Sequence, residues 1–362
     1  MVPRLILCLL LCLTLAPLPG ASPLNVSLLH RDLAHPWGLV FLPGGDLLVS
    51  ERPGRLLRLG ADGRRHAVTG LPEVAAQGQG GLLDLALDDE GWLYFSYSEP
   101  GPGGSSTAVA RARLQDDRLV SLQPLFSQRP KVSGGAHFGS RLVLGGDGLL
   151  YITLGDRYHQ RDLAQRLDNH IGKTVRLHRD GSVPADNPFR HTQGALPEIW
   201  SLGHRNMQGA AWRPAADQFW AHEHGPQGGD EVNLILGGQN YGWPRVSFGE
   251  EYGGGKIGEG TAAPGLVTPL KVWVPSIAPS GMVFHSGARY PQWRDKLFVG
   301  ALRGQSLREL TLAGDTIVGE RTLLGERGER IRTVKEGPDG ALYLLTDSGS
   351  GKVLRLTPQP LD

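Results

Sequence analysis

A weak sixfold repeat constrains the fold of this chain more than any single motif in it. Each copy is a short apolar strand, a Gly/Asp turn, and a second apolar strand that usually bears an aromatic. The first three pair residues 37–41 (WGLVF) with 44–49 (GGDLLV), 83–87 (LDLAL) with 89–95 (DEGWLYF), and 141–144 (RLVL) with 146–152 (GDGLLYI). The others pair 209–212 (GAAW) with 216–220 (ADQFW), 281–284 (GMVF) with 295–299 (DKLFV), and 333–335 (TVK) with 338–344 (PDGALYL). Turn residues stand wherever the chain must reverse, so each unit reads as a hairpin. Further strands follow in places, as at 54–59 (GRLLRL) and 351–356 (GKVLRL), whereas helical periodicity is scarce, 163–167 (LAQRL) being the best short candidate. A lone hairpin buries neither face, but hairpins set radially and closed into a ring bury both and leave only short edges. The expected fold is therefore all-β: a six-bladed β-propeller forming one domain over residues 22–362. An open pair of β-sandwich sheets is the alternative if the repeats are coincidental.

Residues 1–21 read differently. Arg4 precedes an uncharged run at 5–13 (LILCLLLCL) too short to span a bilayer, and the small residues Gly20, Ala21 and Ser22 follow. This is the pattern of a secretory signal peptide cut near Ala21, and it predicts a soluble exported protein without stable membrane insertion. Both cysteines, Cys8 and Cys12, lie in that segment, so the mature chain would have no disulfide, thiolate ligand or cysteine nucleophile. Lys+Arg 37 against Asp+Glu 36 gives a formal charge of +1, and losing Arg4 brings it to zero. That balance excludes a polybasic nucleic-acid binder and argues against anchoring on anionic lipid. Asn25-Val26-Ser27 fits a glycosylation acceptor, which carries meaning only in a eukaryotic host.

Loops at one end of a propeller converge on its central channel, so polar residues just outside the strands are where chemistry would sit. Arg205, Arg303, Arg330 and Arg332 occupy near-equivalent loop positions with few carboxylates among them, which suits an anionic ligand bearing several carboxylates. His137 precedes one strand and Asp156 follows the next strand of the same hairpin, so the two can meet as a general base and its orienting carboxylate. His222-Glu223-His224 offers zinc two histidines on one strand face; a hard cation held by Gly-Pro carbonyls and by Asp230 or Glu231 is an equal alternative.

In these loops and the strands beside them, the chain resembles the soluble aldose sugar dehydrogenases that use pyrroloquinoline quinone (PQQ), within the glucose/sorbosone dehydrogenase family. The stretches that carry the resemblance are 36–59 (PWGLVFLPGGDLLVSERPGRLLRL), 78–87 (GQGGLLDLAL), 137–156 (HFGSRLVLGGDGLLYITLGD) and 171–189 (IGKTVRLHRDGSVPADNPF). Equally specific are 201–212 (SLGHRNMQGAAW), 223–244 (EHGPQGGDEVNLILGGQNYGWP) and 275–284 (PSIAPSGMVF). The resemblance covers essentially the whole mature chain. It implies a catalytic base at His137 with Asp156 as partner, and an Arg-Asn pair on the quinone at Arg205 and Asn206. Further cofactor contacts are implied at Gln79, Tyr252, Arg303, Arg330 and Arg332. A calcium ion bridging to PQQ would be held by the carbonyls of Gly225 and Pro226, and a structural calcium by Glu231 with the carbonyl of Tyr241. The implied reaction takes the C1 hydroxyl proton of an aldose at His137 and moves hydride from C1 to quinone C5, where calcium and Arg205 stabilise the developing charge. The product is an aldonolactone, and electrons pass on to an external acceptor, a quinone or a cytochrome. In a Gram-negative host the place of work would be the periplasm.

The chain departs from the better-known soluble glucose dehydrogenases in carrying Val274 and Ser276 before the Ala-Pro-Ser motif, where they have an aromatic and a threonine. Arg303 replaces a lysine, and loop insertions are fewer. A more open sugar pocket and broad aldose use are the expectation, and the oligomeric state, monomer or homodimer, stays open. Rival functions are a calcium-dependent lactonase on the same architecture and a propeller that binds ligands without catalysis.

Overall fold

The computed structural model describes residues 24–359, so the proposed signal segment, with both cysteines, lies outside the described residues. The apolar runs pair into six four-stranded antiparallel sheets, the blades of a β-propeller. Blade 1 comprises Pro36–Phe41, Leu47–Glu51, Arg55–Leu59 and Arg65–Val68, and blade 2 comprises Leu82–Leu87, Trp92–Gly101, Gly104–Gln115 and Arg118–Ser127. Blade 3 is built from Gly139–Leu144, Leu149–Leu154, Lys173–His178 and Ile199–Leu202, and blade 4 from Met207–Arg213, Gln218–Glu223, Asp230–Leu234 and Lys271–Trp273. Pro279–Phe284, Leu297–Ala301, Ser306–Ala313 and Thr316–Leu323 form blade 5. Blade 6 takes Ile331–Glu336, Leu342–Thr346 and Gly351–Pro358 from the end of the described chain and closes the ring with Leu24–Leu33 from its beginning. Each of the six sequence repeats is the innermost pair of strands of one blade. The helical candidate at 163–167 is a short 3-10 turn, Arg161–Gln165, two residues earlier.

The core is divided: six clusters each fill the gap between two neighbouring blades, and two smaller ones, around Trp37 and around Trp243, lie apart from them. Leu48 and Leu56 of blade 1 meet Leu85 and Phe95 of blade 2, and Leu39 and Val49 meet Leu345 and Val353 of blade 6 across the closing seam. A strand packed on both faces has no solvent side, which is why Leu47–Glu51 is buried at every position, its polar Ser50 and Glu51 included.

Two features set up the rim. Every innermost strand has a register irregularity at its start, between its first residue and one two or three positions on. Such irregularities break pairing and re-aim side chains, and all six lie at the end where the candidate loops enter. Below the rim, the channel is plugged by Arg141, whose guanidinium reaches Asp84 Oδ1 at 3.2 Å, Thr333 Oγ1 at 3.1 Å and the carbonyls of Gln208 (2.7 Å) and Arg332 (2.8 Å). It also stacks 4.0 Å over the Trp37 ring. The plug gives the rim a solid floor.

Candidate active site

His137 and Asp156 meet because the backbone around them is glycine at two close approaches. Gly139 pairs with Leu154 at a φ of +65°, and a Cβ on Gly155 would run into the His137 carbonyl oxygen. The hairpin therefore closes tightly enough to bring His137 Nδ1 to 2.6 Å from Asp156 Oδ1. Asp156 also accepts from the Tyr158 amide and the Trp243 indole N–H, each at 2.8 Å, so its carboxylate is fixed from three directions. A carboxylate so held accepts a hydrogen bond from Nδ1–H, which fixes the tautomer and leaves the lone pair on Nε2. Nε2 bonds to no protein group among the described residues, and His137 lines a cavity of about 300 Å³ with Asp156, Tyr158, Arg205, Trp243 and Tyr252. Burial pushes the His137 imidazole below its usual range; Asp156 opposes that shift, while Arg205 and Arg157 reinforce it. The histidine backbone is left-handed at φ 54°, as are Arg157 and Tyr158 at 55° and 65°. Strain of this kind persists only where the surroundings enforce it.

Arg205, 4% exposed, enters from the loop before blade 4. Its amide donates to Glu223, and its Nη1 donates to the His224 and Gly225 carbonyls at 3.0 Å. Tyr252 OH stands 3.4 Å from Nη2, and Pro226 completes that wall of the cavity. Gln79 is exposed, and its Oε1 accepts from the His137 amide at 2.9 Å.

Asn206 lies beside Arg205 and links this side of the site to Arg332 and Arg330. Asn206 Oδ1 accepts from the Gly139 amide at 3.2 Å and from Gln208 Nε2 at 3.4 Å; Gln208 Oε1 in turn accepts from Arg332 at 2.7 Å. Arg332 pairs with Asp347 at 2.7 Å and Arg330 with the same carboxylate at 3.2 Å, His35 completing the cluster at 3.0 Å. Asp347, a residue that sequence reasoning missed, thus aims two of the expected arginines. Arg332 Nε is buried without a hydrogen-bond partner, an orphan donor at the rim. Arg303 is exposed, and the structure shows it bonded only through its amide, to the Ile277 carbonyl.

Behind Trp243 lies a void of about 10 Å³ lined by Glu223, His224, Glu231 and Tyr241 among others. Burial, and the nearby Glu223 carboxylate, push the Glu231 carboxyl far above its ordinary value. Its one hydrogen bond comes from Asn233 Nδ2 at 3.4 Å. The two histidines of the zinc alternative each use Nε2 on a carbonyl: His222 Nε2 bonds to the Ser280 carbonyl and His224 Nε2 to that of Pro279 at 2.6 Å. No group of three or more His, Cys, Asp or Glu converges among the described residues. Asp230 is also not free to bind a cation, because it accepts from the amides of Gly225, Ile277 and Ala278 and from Ser276 Oγ. It clamps the Gly225 turn to the start of blade 5.

Residues 33–355 match the family model described as Glucose / Sorbosone dehydrogenase. The chain is 44% identical to the aldose sugar dehydrogenase YliI of Escherichia coli over 361 residues, 97% of each protein. Its fold superposes with a TM-score of 0.90 on the apo-form crystal structure of the soluble aldose sugar dehydrogenase from E. coli, at 43% identity over 93% of this chain and all of that one. The PQQ-bound aldose sugar dehydrogenase of Streptomyces coelicolor gives a TM-score of 0.75 at 29% identity, again covering 93% of this chain and all of that one. The chain therefore belongs to the glucose/sorbosone dehydrogenase family and is a sugar dehydrogenase.

Proposed function

We propose that this dehydrogenase oxidises aldoses at C1 to aldonolactones, with PQQ and calcium, and passes the electrons to an external quinone or cytochrome. The observation that carries the reading is the 2.6 Å His137–Asp156 pair opening onto a cavity walled by Arg205. When bound, PQQ supplies the two-electron oxidant, accepting hydride from the sugar; the protein's own residues do the rest. His137 Nε2 takes the C1 hydroxyl proton, and Asp156 holds the tautomer and favours the imidazolium that forms. Trp243 and the Tyr158 amide keep Asp156 from turning away.

The donor set suits an acceptor with several carboxylates. Arg330 and Arg332 share one carboxylate, Asp347, and the orphan Arg332 Nε adds a donor with no protein acceptor. The PQQ bound by the S. coelicolor relative supports the cofactor. For calcium, the Gly225 carbonyl lies against Arg205, Pro226 lines the cavity, and Glu231 lines a void of ion size with Tyr241. Export through residues 1–21 would place the enzyme in the periplasm with its acceptor.

Product analysis tests the reaction. Glucose turned over and the protein then removed before hydroxylamine is added is expected to yield gluconohydroxamic acid from the lactone; a keto-sugar instead would place the oxidation at another carbon and remove the role given to His137.

A further inference from the structure

Arg157 is an almost fully enclosed charge beside the site. It is 1% exposed and forms no ion pair among the described residues. Isolated buried charge is expensive, and a neutral side chain of similar size would fill the space without that penalty. What surrounds the guanidinium is a set of backbone carbonyls: Ala136 on Nη1, Gly134 at 2.6 Å and Ser105 at 3.4 Å on Nη2. Its flat face lies 3.5 Å from the Phe138 ring centroid, and its own amide donates to the His137 carbonyl at 3.3 Å. Every one of these contacts but Ser105 falls on residues 134–138. That stretch is Gly-Gly-Ala-His-Phe, and two consecutive glycines just ahead of a strained histidine would otherwise leave the loop many conformations.

We propose that Arg157 is a positioning residue for the base: its fork pins the Gly134 and Ala136 carbonyls so that His137 keeps its left-handed backbone and its bond to Asp156, while its charge opposes a second positive charge on the imidazole. The inference rests on the reading of His137 as the base. The groups facing His137 are Asp156 at its Nδ1, Tyr158 edge-on at 5.2 Å, and the cations Arg205 and Arg157. Of the two cations, Arg205 lines the cavity and Arg157 does not, so Arg157 can be changed without altering the cavity wall. Burial pushes the Arg157 guanidinium down only to about 10, so it stays charged throughout the working range.

The test uses Arg157→Met and Arg157→Lys, first in the full cofactor-free protein. In R157M, amide exchange over residues 134–137 is expected to quicken at least tenfold, and the His137 imidazole to titrate at higher pH by NMR. R157K keeps the charge but loses the fork, so exchange should quicken while the titration stays near that of the parent. Loaded with PQQ and calcium, R157M should lose at least tenfold in kcat while its affinity for PQQ stays within threefold. Should R157M fail to fold, R157K alone decides: faster loop exchange with lower kcat supports the assignment, and unchanged exchange and kcat overturn it. An R157M protein with parental exchange and parental His137 titration overturns it as well. Parent protein that oxidises no sugar when loaded would instead sink the proposed reaction, whereas the exchange and titration results judge Arg157 separately.

Discussion

His137→Ala is expected to bind PQQ with unchanged affinity and to lose sugar oxidation by two to four orders of magnitude, the usual range for removing a positioned general base, about 10²–10⁴-fold. Cofactor binding survives because the His137 side chain bonds only to Asp156, which stays fixed by Trp243 and the Tyr158 amide. The parent enzyme has a matching pH signature. A base works when neutral, and burial, assisted by Arg205 and Arg157, places the His137 imidazole below 6.5. Activity should therefore be level through neutral pH and fall only as the pH drops beneath that value. Substantial turnover by the alanine variant, or an acid limb centred above neutrality, would show that another group takes the proton.

Arg332→Leu is expected to weaken PQQ binding by roughly 10- to 100-fold, the worth of a charge-assisted hydrogen bond of about 1.5–3 kcal/mol. It should also destabilise the protein by about 3 kcal/mol, because it strips the nearest cation from a buried carboxylate. Burial raises the Asp347 carboxyl, but Arg332, His35 and Arg330 outweigh it and hold the group well below the usual carboxylate range. A carboxyl depressed on folding contributes stability above its unfolded pKa and loses it as pH falls through the folded one. The parent's advantage over the variant should thus be full at pH 7 and shrink as the pH falls below the range in which a free carboxyl ionises, because the variant has less of this contribution to lose. Fluorescence titration with PQQ and urea unfolding at pH 4 and pH 7 measure both effects. Parental affinity in R332L would take Arg332 out of the cofactor site.

The sequence made the ring legible because the hairpin turns repeat, and each repeat marks the innermost strand pair of a blade. The dyad was legible too, since His137 and Asp156 bracket one such hairpin. What escaped was the set of side chains that act from another blade. Trp243 reaches Asp156 from 87 positions away, and no spacing rule connects them. Asp347 had a readable signal: the second strand of blades 1, 3, 4 and 6 ends in or is soon followed by an acid, Glu51, Asp156, Glu223 and Asp347, and each of these binds donors at the rim. Taking Asp156 as one of a repeated set would have found the other three. Asp230 and the His222–His224 pair stayed open alternatives for the opposite reason. Their residue types suit metals, but neighbouring backbone amides and carbonyls claim them, and backbone partners leave no trace in a residue pattern.

Sugar oxidation that needs both PQQ and calcium is measured directly as dye reduction by purified protein after removal of bound cofactor and cations. With PQQ, calcium and glucose all supplied, the dye should be reduced, and omission of any one component should abolish the signal. A second aldose such as xylose should also support it if the pocket is as open as Val274 implies. Reduction that persists without PQQ, or a folded protein that neither binds PQQ nor reduces the dye with any aldose, would contradict the account.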